Sequence, residues 1–347
     1  MTVAGPLRGL PVELPLGDFH PESGGVIRDA RLRYRVFGDP SLGHANGWIL
    51  VFHALTGSAD IDDWWAPVLG PGRALDTTRH AVVAANLLGS CYGSSGPVSI
   101  TDGTFPTLTT ADLARAHVRL IESLGIQRIA LATGGSLGGM VALQWGCVTP
   151  VPVDRLVVFA APVRTSAQAI GWNVAQRMAI EADPAWERGE YPAGAGPAAG
   201  LAAARAIAMI TYRSVTEFEQ RFGRRQTRDP GRFDVDHYLR RHGQKLVERF
   251  DARSYVALMQ AMDTHDVGDL AAAARQTAGC VGEVVGVGID TDILYYPAEV
   301  RGWVAAYAAA GAVARYEQIG SIYGHDAFLI EFDQVERLLR IPAGEAR

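Results

Sequence analysis

The sequence predicts an α/β fold: a mostly parallel sheet covered by helices, with a helical section inserted late in the chain. Three observations predict it. Short uninterrupted apolar runs, such as Trp48–Phe52 and Ala81–Ala85, read as strands buried on both faces. Helix-period patterns lie between such runs, which makes the connections crossovers and the sheet parallel. From about 165 to 278 helical patterns dominate and strand-like runs are few.

In chain order, residues 1–30 are rich in Gly and Pro and are expected on the surface. Arg31–Phe37 alternates polar and apolar residues, as a half-exposed strand does. Trp48–Phe52 ends in His53-Ala-Leu-Thr-Gly57, and Ala81–Ala85 ends in Asn86-Leu-Leu-Gly-Ser-Cys-Tyr-Gly93. A helix follows over about Ala111–Leu124, with Leu113, Ala116, Leu120, Ile121 and Leu124 on one face and Gly125 as its stop. Gln127–Trp145 reads as buried strand, glycine-lined turn and helix, and Arg155–Ala160 as another buried strand. Residues 1–164 and 279–347 are assigned to the sheet domain, and 165–278 to a helical lid. Within the lid, 192–200 is an Ala/Gly/Pro loop leading to a helix that begins near Leu201, and 225–232 is a turn-rich break. Val281–Ile289 is a late core strand, Glu299–Ala310 a helix, Ala314–Ile319 a last strand, Ser321–His325 a loop and Ala327–Leu339 a closing helix. No internal repeat is found.

Composition narrows the function classes. At 347 residues the chain exceeds one core of ordinary size, which suits a large domain with an insertion. A net charge of -5 argues against general nucleic-acid binding, since no broad basic field is present. Lys245 is the sole lysine, so nearly all the positive charge is arginine. Cys91, Cys147 and Cys280 are far apart, which implies neither a disulfide framework nor a zinc site. The first residues lack the charged-then-apolar pattern of a signal peptide, and no stretch approaches the ~18 apolar residues of a membrane span. The expectation is a soluble cytoplasmic protein with small-molecule substrates, no nucleic-acid partner and no membrane.

Inside Gln127–Trp145, Gly134-Gly-Ser136-Leu-Gly138 fits G-x-S-x-G, the nucleophile elbow of α/β-hydrolase-like enzymes. A serine on a strained turn needs neighbours without Cβ atoms, so that strand and helix approach closely and Oγ stands clear. A hydroxyl becomes a useful nucleophile only when a base takes its proton and a third group orients that base. In this fold the order is Ser, then Asp or Glu, then His, each after a core strand. His325, in Gly324-His-Asp-Ala-Phe328, meets that order. His265 competes, but no strand precedes it. For the acid, Asp290 and Asp292 both follow the Val281–Ile289 strand, and spacing does not choose between them. The oxyanion hole should combine the N–H of Leu137 with that of Leu55 in the loop after an early strand.

The remaining motifs carry a resemblance. His53-Ala-Leu-Thr-Gly57, Trp64-Trp65, Asn86-Leu-Leu-Gly-Ser-Cys-Tyr-Gly-Ser-Ser-Gly-Pro97, Gly134-Gly-Ser-Leu-Gly-Gly-Met140, Ile210-Thr-Tyr-Arg-Ser214, Arg221-Phe-Gly-Arg224, Arg249-Phe-Asp-Ala252, His265-Asp-Val-Gly268 and Gly324-His-Asp-Ala-Phe328 together resemble the homoserine O-acetyltransferase family. The match runs from about residue 30 to 332. It implies an α/β-hydrolase core with a helical lid, a homodimer formed through the lid, and acyl transfer from acyl-CoA to an amino-acid hydroxyl by way of an acyl-serine. Carried over by position, Ser136 is the nucleophile, His325 the base, and Asp292 the acid. Arg205, Tyr212 and Asp326 would hold the amino acid. A guanidinium suits a carboxylate and a carboxylate suits an ammonium group, and residues seven apart on a helix share a face. Acetyl-CoA is the implied co-substrate, with no bound cofactor and no metal required.

Two departures stand out. Leu137 replaces the usual Met after the nucleophile, an apolar swap that keeps the N–H and could reshape the acyl pocket. The segment around 192–204 is unusually rich in Ala and Gly. The alternatives are a succinyl donor or L-serine acceptor on the same fold, and a plain esterase that uses water.

Overall fold

Eight strands form one sheet in the order β1-β2-β4-β3-β5-β6-β7-β8. They are β1 (Val12–Phe19), β2 (Ile27–Phe37), β3 (Trp48–Phe52), β4 (Val82–Ala85), β5 (Ile129–Gly135), β6 (Val153–Phe159), β7 (Val281–Ile289) and β8 (Ala314–Ile319). The β1–β2 and β2–β4 pairings are antiparallel and all the others parallel. The helices are α1 (Pro40–Asn46), α2 (Ile61–Trp64), α3 (Thr110–Ser123), α4 (Leu137–Val148), α5 (Ala167–Glu181), α6 (Ala198–Thr211), α7 (Val215–Arg221), α8 (Asp234–Val247), α9 (Ala252–Asp263), α10 (Leu270–Cys280), α11 (Pro297–Ala309) and α12 (Phe332–Leu339). This computed structural model describes residues 9–341 apart from 101–104, 193 and 228–230. The first eight residues of the expected surface segment, and 228–230 of the expected turn-rich break, lie outside the described residues.

The central strands are buried end to end. Every residue of β3, β4 and β5 is shielded from solvent, as their uninterrupted apolar runs require. Helices cover both faces. On one lie α3, α4, α10 and α11, contributing Leu113, Trp145, Ala273 and Trp303; on the other Trp65, Phe328 and the α12 residues Val335 and Leu338. Each large apolar side chain fully buried in this way stabilises by roughly 1.5–3 kcal/mol. Helix α4 lies directly behind the Ser136 turn and is apolar nearly all round, because it is enclosed between α3, α10 and the sheet.

Helices α5 to α10 fill the connection from β6 to β7. Their connections reach loops at the carboxyl ends of the parallel strands. Arg249, after α8, donates to the Thr56 carbonyl beyond β3, and the Asp326 N–H beyond β8 donates to the Tyr212 carbonyl at the end of α6. Helix α10 packs back against α4 and α11.

Two local expectations are corrected, and one helix was not anticipated. The Gly/Pro-rich start contains a strand, β1, antiparallel to β2; Pro15 and Gly17 sit at its register shifts, which is where an edge strand tolerates them. Helix α1 begins at Pro40 behind an Asp39 cap, a proline position that favours a helix start. The expected loop through His325 and single helix Ala327–Leu339 are instead a 3-10 turn, Gly324–Leu329, followed by α12 from Phe332.

Candidate active site

The serine turn is built by steric necessity. Ser136 has φ 57° and ψ -126°, a conformation that costs a residue with a side chain about 1–3 kcal/mol. Its N–H donates to the Phe159 carbonyl, and its own carbonyl accepts from Met140 N–H, so strand and helix hold the turn from both sides. A Cβ on Gly138 would lie 2.2 Å from the Phe52 carbonyl oxygen, and one on Gly134 would lie 2.5 Å from that of Gly138. Both positions therefore exclude every side chain.

Of the eight residues singled out from the sequence, six lie just beyond the carboxyl ends of parallel strands and two at α6. Leu55 follows β3, Ser136 and Leu137 follow β5, Asp292 follows β7, and His325 and Asp326 follow β8, while Arg205 lies on α6 and Tyr212 caps its end. His325 Nδ1 donates to Asp292 Oδ2 at 2.7 Å, with both side chains buried. Asp292 is itself held, since its Oδ1 accepts from the N–H groups of Leu294 and Tyr295 at 2.8 and 3.0 Å. Burial alone would depress His325, but the Asp292 carboxylate outweighs it and raises the imidazole pKa above its ordinary 6.5. His325 Nε2 is buried without a hydrogen-bond partner among the described residues. Phe328 ties the His325 turn to the elbow: its ring centroid is 5.8 Å from that of His325, and it occupies the space a Gly135 side chain would need.

Geometry separates the alternatives that spacing left open. Asp290 is exposed and accepts a hydrogen bond from Ser321 N–H, away from the histidine. His265 is fully engaged elsewhere, its Nδ1 meeting the Thr110 hydroxyl at 2.8 Å and its Nε2 the Pro162 carbonyl at 3.0 Å. Burial pushes its pKa down to about 4, so it is a neutral brace inside the core.

Two main-chain donors, one in the loop after β3 and one just after Ser136, are left without an acceptor among the described residues. Among the described residues, neither Leu55 N–H nor Leu137 N–H is used in a hydrogen bond. The Leu55 loop is fixed from beneath: Ala59 N–H donates to Asn86 Oδ1, and Leu87 N–H donates to His53 Nε2 at 2.9 Å. His53 Nδ1 donates in turn to the Ala54 carbonyl, so the His53 ring links the loops after β3 and β4.

Above His325 lies a polar wall. The Tyr212 ring centroid is 5.7 Å from that of His325, and the Arg205 guanidinium stands 5.4 Å over the same tyrosine. Arg205 has no carboxylate partner among the described residues. Asp326 has one, Arg213, at 3.2 Å, and Arg213 also contacts the buried Glu217. Sequence reasoning missed this Arg213–Asp326 pair. Arg213 stands beside Tyr212 in a motif already noticed, but its partner comes from the far end of the chain, beyond any local spacing rule. It also missed Tyr295, whose ring packs edge-on to His325 at 5.3 Å.

A family model of the alpha/beta hydrolase fold matches residues 47–245. Homoserine O-acetyltransferase of Moorella thermoacetica is 42% identical over 353 residues, covering 92% of each chain. The chain belongs to the homoserine O-acetyltransferase family. Among solved structures, homoserine O-acetyltransferase from Staphylococcus aureus is similar with a TM-score of 0.78 and 29% identity, covering 96% of this chain and 94% of that one. Esterase E22 superposes with a TM-score of 0.84 at 21% identity, covering 95% of this chain and all of that one, a likeness of fold alone. Homoserine O-acetyltransferase family members and an esterase thus share this scaffold, and the reaction must be argued from side chains.

Proposed function

We propose that this family member is a homoserine O-acetyltransferase that moves acetyl from acetyl-CoA to the hydroxyl of L-homoserine through an acyl-Ser136 intermediate, in methionine biosynthesis. His325 Nε2 takes the Ser136 proton as Oγ attacks the thioester carbonyl, and Asp292 stabilises the imidazolium that forms. The oxyanion rests on the Leu55 and Leu137 N–H groups, a contribution for which each donor typically carries a factor of about 100–1,000 in turnover. The tetrahedral intermediate collapses, the C–S bond breaks, and His325 gives its proton to the departing sulfur, so CoA leaves as the thiol and the imidazole is neutral again. L-Homoserine then enters, His325 removes its hydroxyl proton as that oxygen attacks the acyl carbonyl, and the bond from the acyl carbon to Ser136 Oγ breaks with the proton returned to Oγ.

The observation that carries transfer over hydrolysis is Arg205, without a carboxylate partner among the described residues, beside Tyr212 and above the His325–Asp292 pair. A semi-buried guanidinium without a carboxylate partner suits the substrate carboxylate, which it can hold bidentately. Asp326 offers the ammonium group its Oδ1, since Arg213 engages Oδ2. Held at both ends, the acceptor presents its hydroxyl where water would otherwise attack. An esterase has no use for such a clamp.

The same reading includes a homodimer through the lid and a cytoplasmic location. Large apolar side chains stand exposed there: Val174 and Met178 on α5, Ile210 on α6 and Val215 on α7. The three cysteines are unpaired, as suits a reducing compartment. Thiol release from acetyl-CoA, followed with and without L-homoserine, tests the reaction. Release that depends on the amino acid supports transfer, and equal release without it makes the protein a hydrolase. A panel of acetyl- and succinyl-CoA against L-homoserine and L-serine decides the substrates; the two acceptors differ by one methylene, worth only about 1–3 kcal/mol, whereas succinyl adds a charged carboxylate to the acyl group.

A further inference from the structure

Several lid arginines among the described residues stand beside a carboxylate, Arg177, Arg213, Arg225 and Arg240 among them. Two cations on α8 do not. Arg241 and Lys245 make no ion pair or hydrogen bond among the described residues, although neighbouring Arg240 pairs with Asp236 at 2.8 Å. Both line a cavity of about 720 Å³ between α7 and α8. With His237 they recur every fourth residue, so one face of the helix presents all three to the same space. Arg221 faces them from α7, its guanidinium 4.7 Å over the Tyr238 ring in the cavity wall. The acidic residues close by are engaged: Asp234 pairs with Arg225, and Glu217 with Arg221 and Arg213.

One further residue of the wall faces several of these cations. His242, also in the wall, has its pKa lowered to about 4, by burial first and then by Arg205, Arg213, Lys245 and Arg221. Like charges gathered on a concave wall repel one another, and an anion with several oxygens relieves that repulsion. A chain of side-chain contacts links the cavity wall to the turn that carries His325. Tyr238 stands beside Arg213, which holds Asp326, the residue next to His325.

We propose that this cavity binds the phosphates of the donor's nucleotide end, with Arg241 and Lys245 as the principal phosphate contacts and Arg221 as a third. The inference rests on acyl-CoA being the donor. Arg205 and Arg213 face the amino acid, so the two sets of cations divide the labour: the inner pair serves the acceptor's clamp, the outer set the polyphosphate.

The test compares two donors that share a thioester and differ in phosphate: acetyl-CoA and acetyl-pantetheine. The readout is the ratio of their kcat/KM values, which cancels any loss of folded enzyme. The double variant Arg241→Gln/Lys245→Gln should lower that ratio about tenfold, as the loss of charge-assisted phosphate contacts requires. Arg240→Gln, outside the cavity, should keep the wild-type ratio. An unchanged ratio in the double variant, or the same loss with both donors, overturns the proposal. Calorimetric titration with adenosine 3′,5′-bisphosphate gives a readout independent of turnover. Wild-type binding that weakens in the double variant supports the site even if acetyl-CoA proves not to be a substrate, and no binding by the wild type refutes it.

Discussion

Replacing Asp292 by Asn changes one atom of the candidate triad, and the hydrogen bonds around that carboxylate set the consequence. Asp292 Oδ1 accepts two main-chain hydrogen bonds, from Leu294 and Tyr295, while Oδ2 accepts from His325 Nδ1 at 2.7 Å. In Asp292→Asn the amide oxygen is required by the two N–H groups, so the NH₂ faces the imidazole. Two donors cannot share that contact. His325 then becomes an acceptor at Nδ1 and carries its proton on Nε2, the atom that should receive the Ser136 proton. The variant also loses the carboxylate that outweighs burial, so the imidazole pKa falls below its ordinary range. Loss of both tautomer and counter-charge is expected to lower kcat by roughly 10³–10⁴, equivalent to about 4–5.5 kcal/mol of transition-state stabilisation. Asp290→Asn, whose carboxylate accepts from Ser321 N–H and does not meet His325, should stay within a few-fold of wild type. The assay is steady-state thiol release from acetyl-CoA with saturating L-homoserine, with thermal unfolding of each variant as a check on folding. A loss under tenfold in Asp292→Asn, or a larger loss in Asp290→Asn, would refute the reasoning.

The same geometry sets further expectations. Arg205→Met should raise the KM for L-homoserine by about 10–100-fold while acetyl-enzyme formation from acetyl-CoA keeps its rate, because a lost charged hydrogen bond costs about 1.5–3 kcal/mol; slowed acetylation would place Arg205 elsewhere in the mechanism. The acidic limb of kcat/KM should lie above pH 6.5, since His325 must be neutral to act and Asp292 raises its pKa; a limb below 6 in wild type would contradict this. Stability should fall on acidification between pH 6.5 and about 4. His53, His117 and His265 are buried with pKa values near 4, so the unfolded chain takes up protons that the folded one refuses. Each contributes about 1.4 kcal/mol per pH unit in that window, and its effect is absent above 6.5. Chemical denaturation at pH 7 and pH 5 measures this, and equal stabilities would contradict it.

What the sequence revealed and what it hid have physical causes. The elbow was readable because its demands are local: glycine at 134 and 138, an apolar strand before and an apolar helix after. The buried strands were readable because parallel strands covered on both faces leave no room for polar residues. Strand β1 was hidden by Pro15 and Gly17, residues that mark turns far more often than edge strands with shifted register. The break between Leu329 and Phe332 was hidden because the apolar residues on either side keep helical spacing across it. In the site, Asp290 and Asp292 differ by two positions at a strand end, and only the fold turns one of them toward His325. Arg213 was invisible as a partner of Asp326 because packing of the α6–α7 connection on the turn after β8, not sequence spacing, brings the two together.

The most direct measurement is the intact mass of the protein after brief exposure to acetyl-CoA without an amino acid. One acetyl group should appear on the peptide containing Ser136, be absent in Ser136→Ala, and pass to O-acetyl-L-homoserine when L-homoserine is added. An adduct that persists in Ser136→Ala, or that is released only to water with the amino acid present, would contradict the account.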